Sequence, residues 1–196
     1  MQNKTPSYAR PVAGLIVVSF TLVAGSLQVL AQSSATSTNL PIPVHILAGF
    51  GTDMTIGGTT WLASGKFFPD GETIERPDIT IATSTNTGPA AIYKAERYSM
   101  GKFTYAPVPN GDYTIKLHFC ETFEGITGKG ERVFGYAVKG GGTPVKDFDV
   151  FATAGGALKP VVKIVPITVT NQTIEVEFTP QVENPQINAI EIFSGR

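Results

Sequence analysis

Residues Asn110–Gly125 read NGDYTIKLHFCETFEG. Within them Tyr113, Ile115, Leu117 and Phe119 fall on one side of a period-two pattern, and Thr114, Lys116, His118 and Cys120 on the other. That alternation marks a half-buried strand, because successive side chains of a strand point to opposite faces. Pro109-Asn110-Gly111-Asp112 just before it reads as a hairpin turn, since Asn and Gly accept positive φ. The segment after it, TFEGITGKG (Thr122–Gly130), is rich in Gly and reads as an exposed loop carrying Phe123 and Glu124.

The same pattern extends outward. Ile174, Val176 and Phe178 alternate with Glu175 and Glu177, and Val133–Val138 gives a less regular strand. Ile187, Ala189, Glu191 and Phe193 oppose Asn188, Ile190 and Ile192, so this last run carries apolar residues on both sides and predicts a central, covered strand. Further strands are expected at Val44–Ala48, Lys102–Pro107, Val145–Val150 and Val161–Val169. Gly140-Gly141-Gly142 and Thr170-Asn171-Gln172 supply turns, and 21 Gly with 14 Pro disfavour long helices. Many short strands with regular turn signals predict an all-β fold, a jelly-roll-like antiparallel β-sandwich. No internal repeat is present.

The first 31 residues stand apart. Met1–Arg10 carries Lys4 and Arg10 without an acid, Val12–Leu30 is an apolar run of about 19 residues, and Val29-Leu30-Ala31 puts small residues where a signal peptidase needs them. We read 1–31 as a signal peptide, with an uncleaved anchor as the alternative. Residues 32–40 begin QSSATSTN and read as a flexible Ser/Thr-rich leader, and 41–196 as one domain. Without Lys4 and Arg10 the 15 basic residues fall to 13 against 16 acids, a net charge of −3. Nucleic-acid binding needs clustered Lys and Arg, so this balance argues against it. Cys120 is the single cysteine, which excludes an intrachain disulfide framework.

No sequence pattern for catalysis stands out. His45 and His118 form no zinc-protease pattern and read as structural, and no nucleophile-elbow motif occurs. Asp147 and Asp149 share one face of an expected strand and read as solvent-facing rather than as a glycosidase pair. Asp53, Asp70, Glu72, Glu75 and Asp78 offer oxygen atoms, but not with calcium-loop spacing. Trp61 reads as core. We expect no cofactor and no metal. Sugar sites combine an aromatic ring, on which the C–H face stacks, with carboxylates and amides that bind hydroxyls. Three connections carry such residues: Arg97 and Tyr98, Phe123 and Glu124, and Glu183 with Asn184-Pro185. Spacing alone favours core-edge rings and solvated acids over a pocket.

Five phrases taken in order shift that weight: AIYKAERY (Ala91–Tyr98), NGDYTIKLHFCETFEGITG (Asn110–Gly128), ERVFGYAVKG (Glu131–Gly140), KDFDVFATAGG (Lys146–Gly156) and ENPQINAIEI (Glu183–Ile192). Together they resemble the malectin domain, a carbohydrate-binding family, over Val44–Phe193. The resemblance implies that Tyr98 stacks on a sugar. Phe123 and Glu124 take the place of two adjacent family aromatics, of which Phe123 keeps the ring. Glu183 takes the place of an Asp that binds a sugar hydroxyl. A further family Tyr falls near Ile74–Arg76, where this chain has none. The reading is a secreted, non-catalytic, lectin-like module for glucose-type or related oligo- or polysaccharide, with Tyr98, Phe123, Glu124, Glu183 and Arg97 as its site. The alternatives are a protein-interaction or structural module on the same fold, with a secreted or cell-surface protein as partner, and a glycoside-active enzyme.

Overall fold

The structure, a computed structural model, describes residues 38–196, all of which fall in one compact unit. The signal-peptide reading of 1–31 and most of the leader lie outside the described residues. Thirteen strands follow in order: β1 Val44–Leu47, β2 Met54–Ile56, β3 Thr59–Ala63, β4 Glu72–Glu75, β5 Ala95–Tyr98, β6 Lys102–Tyr105, β7 Gly111–Cys120, β8 Val133–Val138, β9 Val145–Phe148, β10 Pro160–Val169, β11 Ile174–Val182, β12 Gln186–Ile187 and β13 Ala189–Ser194. A 3-10 turn at Ala90–Tyr93 and one short helix, α1 (Val150–Ala154), complete the order.

Two sheets make the sandwich. One runs β10-β7-β13-β1-β3-β2 and the other β6-β11-β8-β9. Pairing is antiparallel except between β1 and β3. The period-two pattern of β7 does what the sequence requires: Tyr113, Ile115, Leu117 and Phe119 are buried toward the facing sheet. There they meet Phe103, Tyr105, Phe134, Tyr136, Val176 and Phe178. Phe119 packs edge-on to Phe148 at 4.9 Å and sits within about 6 Å of the Phe134 and Tyr136 rings. Burying each such side chain contributes about 1.5–3 kcal/mol, which makes this layer the main source of stability in a fold without a disulfide.

β13 is central, between β7 and β1, as its sequence predicts, with its inner side and Ala189 buried and Glu191 and Phe193 on its outer side half-buried. Its outer side meets a second cluster of Leu47, Trp61, Ile81, Ile92, Tyr93 and Cys120. Burial there pushes the Cys120 thiol up to about 12, so it packs as an apolar group. A third, three-stranded sheet, β12-β5-β4, lies at one end of the sandwich. Asn188 ties it in. The buried Asn188 amide accepts from Cys120 N–H at 2.7 Å and donates to the Ala95 carbonyl at 2.9 Å.

The turn readings fare unevenly. Gly140–Gly142 does close a hairpin, between β8 and β9. Asn110-Gly111 does not: β6 and β7 belong to opposite sheets, so this turn carries the chain across the sandwich. Thr170–Gln172 likewise crosses from β10 to β11. The expected strand over Val145–Val150 stops at Phe148. Asp149 instead caps α1, its carboxylate accepting from Ala152 N–H at 2.8 Å, so it does not share a strand face with Asp147.

Candidate functional site

β5 explains why a pocket forms beside the three-stranded sheet. Along Ala95-Glu96-Arg97-Tyr98, alternation puts Glu96 and Tyr98 on one face and Arg97 on the other. The Glu96 side belongs to a pocket of about 290 Å³ lined by Ile74, Arg76, Glu96, Tyr98, Phe123, Arg132, Glu183 and Asn184. β4 brings Ile74, and the residue after its end brings Arg76. The loop after β7 brings Phe123, the residue just before β8 Arg132, and the turn before β12 Glu183 and Asn184.

Two ion pairs hold the pocket. Arg76 Nη1 lies 3.2 Å from Glu96 Oε1 and donates to Thr122 Oγ1 at 3.1 Å, while the Thr122 hydroxyl donates to Glu96 Oε2 at 2.6 Å. The Arg76 guanidinium also lies 5.8 Å from the centre of the Phe123 ring. Beneath, Glu121 is fully buried and accepts from Arg132 Nε at 2.8 Å and from Phe123 N–H at 3.1 Å. Burial pushes the Glu121 carboxyl above its usual range, against the opposing pull of Arg132 and the Phe123 N–H. Arg132 Nη1 also donates to the Asn184 carbonyl at 2.6 Å, which fixes the turn that bears Glu183. The Tyr98 hydroxyl donates to Glu72 Oε2 at 2.7 Å, and that bond raises its pKa, keeping the phenol neutral. Phe123 is 38% exposed, and its ring lies across Gly125: a Cβ at 125 would come within 2.5 Å of a ring carbon.

Backbone strain gathers at the rim. Ser99 and Glu183 both have φ near 58°, the left-handed region that L-residues avoid, and Ser99 N–H donates to the Pro185 carbonyl at 3.0 Å. Chemically the lining offers two rings, two guanidinium groups and two carboxylates, a balance that suits an uncharged polyol.

Of the residues singled out from sequence, Tyr98, Phe123 and Glu183 come together here. Arg97 lies on the other face of β5, where its guanidinium donates to the carbonyls of Ala48, Asp70 and Gly71 and covers the Phe68 ring at 4.9 Å. Burial pulls its pKa down. Glu124 is exposed and outside the lining. Asn184, singled out together with Glu183, joins Tyr98, Phe123 and Glu183 in the lining, whereas Arg76, Glu96 and Arg132 were not foreseen. For Glu96 the signal was available, because it sits two residues before Tyr98 on the same strand. Ile74 and Arg76 occupy the place where the family's second Tyr was expected. Among the described residues no group of three or more His, Cys, Asp or Glu is placed to hold a metal. Asp53 and Asp70 instead accept from the backbone N–H groups of Ala63 and Gly101.

A family profile described as the malectin domain matches residues 44–191. Receptor-like protein 4 of Arabidopsis thaliana is 32% identical over 128 residues, which covers 62% of this chain and 20% of that protein. Among solved structures, a Bacteroides uniformis beta-glucuronidase 2 superposes with a TM-score of 0.65 at 17% identity, over 79% of this chain and 18% of the other. The structure of plant peptide RALF23 in complex with FER and LLG2 gives 0.65 at 20%, over 77% of this chain and 48% of the other. The chain thus spans a fifth of that curated relative. At these identities the structural matches speak for the fold.

Proposed function

The chain belongs to the malectin-domain family, and on that premise we propose that it is a non-catalytic carbohydrate-binding module for a glucose-type or related sugar. One observation carries the reading: Tyr98, Phe123 and Glu183, distant in sequence, line a single pocket of about 290 Å³. In this reading Tyr98 and Phe123 take the two apolar faces of a pyranose ring. Glu183 accepts from its hydroxyls, and Arg132 and Asn184 hold the turn that presents that carboxylate. Arg97 acts from the far side of β5 as a positioning residue, and Glu124 extends the rim. Each hydrogen bond to sugar replaces one to water, so the affinity is modest. The lining carboxylate Glu96 is already engaged by Arg76 and Thr122, which suits binding better than acid–base chemistry. The apolar run before Ala31 and the receptor-like relative support an extracytoplasmic location.

A second reading, a protein-interaction module, draws on exposed apolar side chains beside the same pocket, Ile74 and Val182. It also draws on the peptide complex among the structural neighbours. A glycan array probed with the chain and with a Tyr98→Ala/Phe123→Ala variant, both checked for folding by circular dichroism, separates the two. Loss of two stacking rings should weaken sugar binding about 10- to 100-fold. Undiminished binding by the folded variant would move the site elsewhere, and no binding by the folded parent would favour the interaction module.

A further inference from the structure

The outer face of the six-stranded sheet carries a larger depression, of about 800 Å³, whose residues are separate from those of the loop-end pocket. Strand register builds its floor. His45 on β1 pairs with Glu191 on β13, Glu191 with Lys116 on β7, and Lys116 with Ile164 on β10, one row across four strands. The turn between β2 and β3 forms one wall, and the Thr85–Pro89 segment the other.

The floor is a linked polar cluster. Glu191 Oε1 accepts from His118 Nε2 at 2.8 Å and lies 3.8 Å from Lys116 Nζ. His118 Nδ1 meets the Tyr93 hydroxyl at 2.8 Å, so both its nitrogens are engaged. His45 Nδ1 lies 3.0 Å from Glu191 Oε2 but off the line a hydrogen bond needs, which leaves it without a hydrogen-bond partner. The His45 ring stands 5.0 Å from Trp61 and 5.7 Å from Phe193, a file of three rings. Ile164, 63% exposed, forms an apolar rim on β10.

We propose that this groove is a second carbohydrate site, one that takes an extended uncharged oligosaccharide along the row from His45 to Ile164. Charge points that way, since the lining holds one lysine and one carboxylate and no other permanently charged side chain. The wall is short and polar, with Thr59 and Asn86 able to meet hydroxyls as donors or acceptors. An extended peptide fits less well. Strand addition takes place at a sheet edge, but His45, Glu191 and Lys116 lie on β1, β13 and β7, inside the sheet, and of the row only Ile164 lies on an edge strand, β10. His45 and Ile164 offer surfaces for the C–H faces of successive sugars, and Lys116 and Asn86 offer donors above the floor. The proposal does not rest on the loop-end pocket binding sugar.

The single tryptophan supplies the test, because Trp61 lines this groove and not the other pocket. The full chain is titrated with gluco-, manno- and xylo-oligosaccharides of increasing length while Trp61 emission is followed, and with unstructured peptides in a parallel series. One sugar series should change the emission, with longer chains binding more tightly. The response should persist in the Tyr98→Ala/Phe123→Ala variant and weaken about tenfold or more in Lys116→Ala and in Asn86→Ala, each losing a hydrogen-bond donor. Emission that ignores every oligosaccharide the protein binds would overturn the proposal. So would a response lost only with Tyr98 and Phe123, or one given by peptides alone.

Discussion

Two carboxylates, one buried and one half-buried, face different surroundings in this molecule. Glu121, beneath the loop-end pocket, is fully enclosed and has one guanidinium for company. Glu191, on the floor of the sheet-face groove, keeps some contact with solvent and faces two imidazoles and an ammonium. The outcomes are opposite. At Glu121 burial wins and its pKa rises. At Glu191 burial pulls up too, but the His118 hydrogen bond, with the charges of His118, Lys116 and His45, holds its pKa below the usual carboxylate range. The difference teaches that a salt bridge is not one kind of object. A dry pair fixes geometry at little net gain, whereas a half-wet cluster favours the ionised state.

The largest expected effect breaks the dry pair. Arg132→Ala leaves Glu121 uncompensated and releases the Asn184 turn, and should cost about 3–5 kcal/mol in urea unfolding. A cost under about 1 kcal/mol would mean that Glu121 is not isolated, and the contrast would collapse. The next test reads pH. Glu191, with its pKa depressed on folding, contributes stability above the ordinary carboxylate range and loses it as pH falls through its folded value. Glu121, with its pKa raised, does the reverse: its contribution is full below the unfolded value and fades as pH rises through the folded one. Glu191→Gln should therefore cost about 1.5 kcal/mol at neutral pH and flatten the loss of stability in acid, as thermal melts across pH would show. Glu121→Gln should remove the opposite slope. Parallel slopes for the two variants would refute the comparison. The smallest effect sharpens it at the rim. Glu183→Gly frees a left-handed backbone but loosens the unfolded chain, so stability should rise by no more than about 1 kcal/mol while sugar binding weakens.

The sandwich was readable because its signal is local. β7 and β13 announce their faces within ten residues, and the aromatic layer follows from that phase. Turns were less readable, because Asn110-Gly111 states that the chain bends but not which sheet receives it. Half of the pocket was readable for a similar reason: a ring or an acid beside a turn, as at Tyr98, Phe123 and Glu183, marks itself. Arg76 and Arg132 do not, since their role depends on which carboxylate the fold delivers, Glu96 or Glu121. The sheet-face groove was hidden altogether. His45 and Glu191 are 146 positions apart in sequence and meet only because β1 pairs with β13, a register no single strand encodes. Each histidine, taken alone on its strand, looks structural.

Gly125 has a consequence for how such a pocket could diversify. Phe123 rests where a methyl group at 125 would strike it. The tilt of the ring over the cavity is therefore governed by a residue outside the lining. Exchanging one hydrogen atom for a methyl there would swing the wall and change the shape of guest admitted, with every lining side chain kept. A lineage could shift its ligand preference at this position while its binding residues, compared one by one, stayed the same.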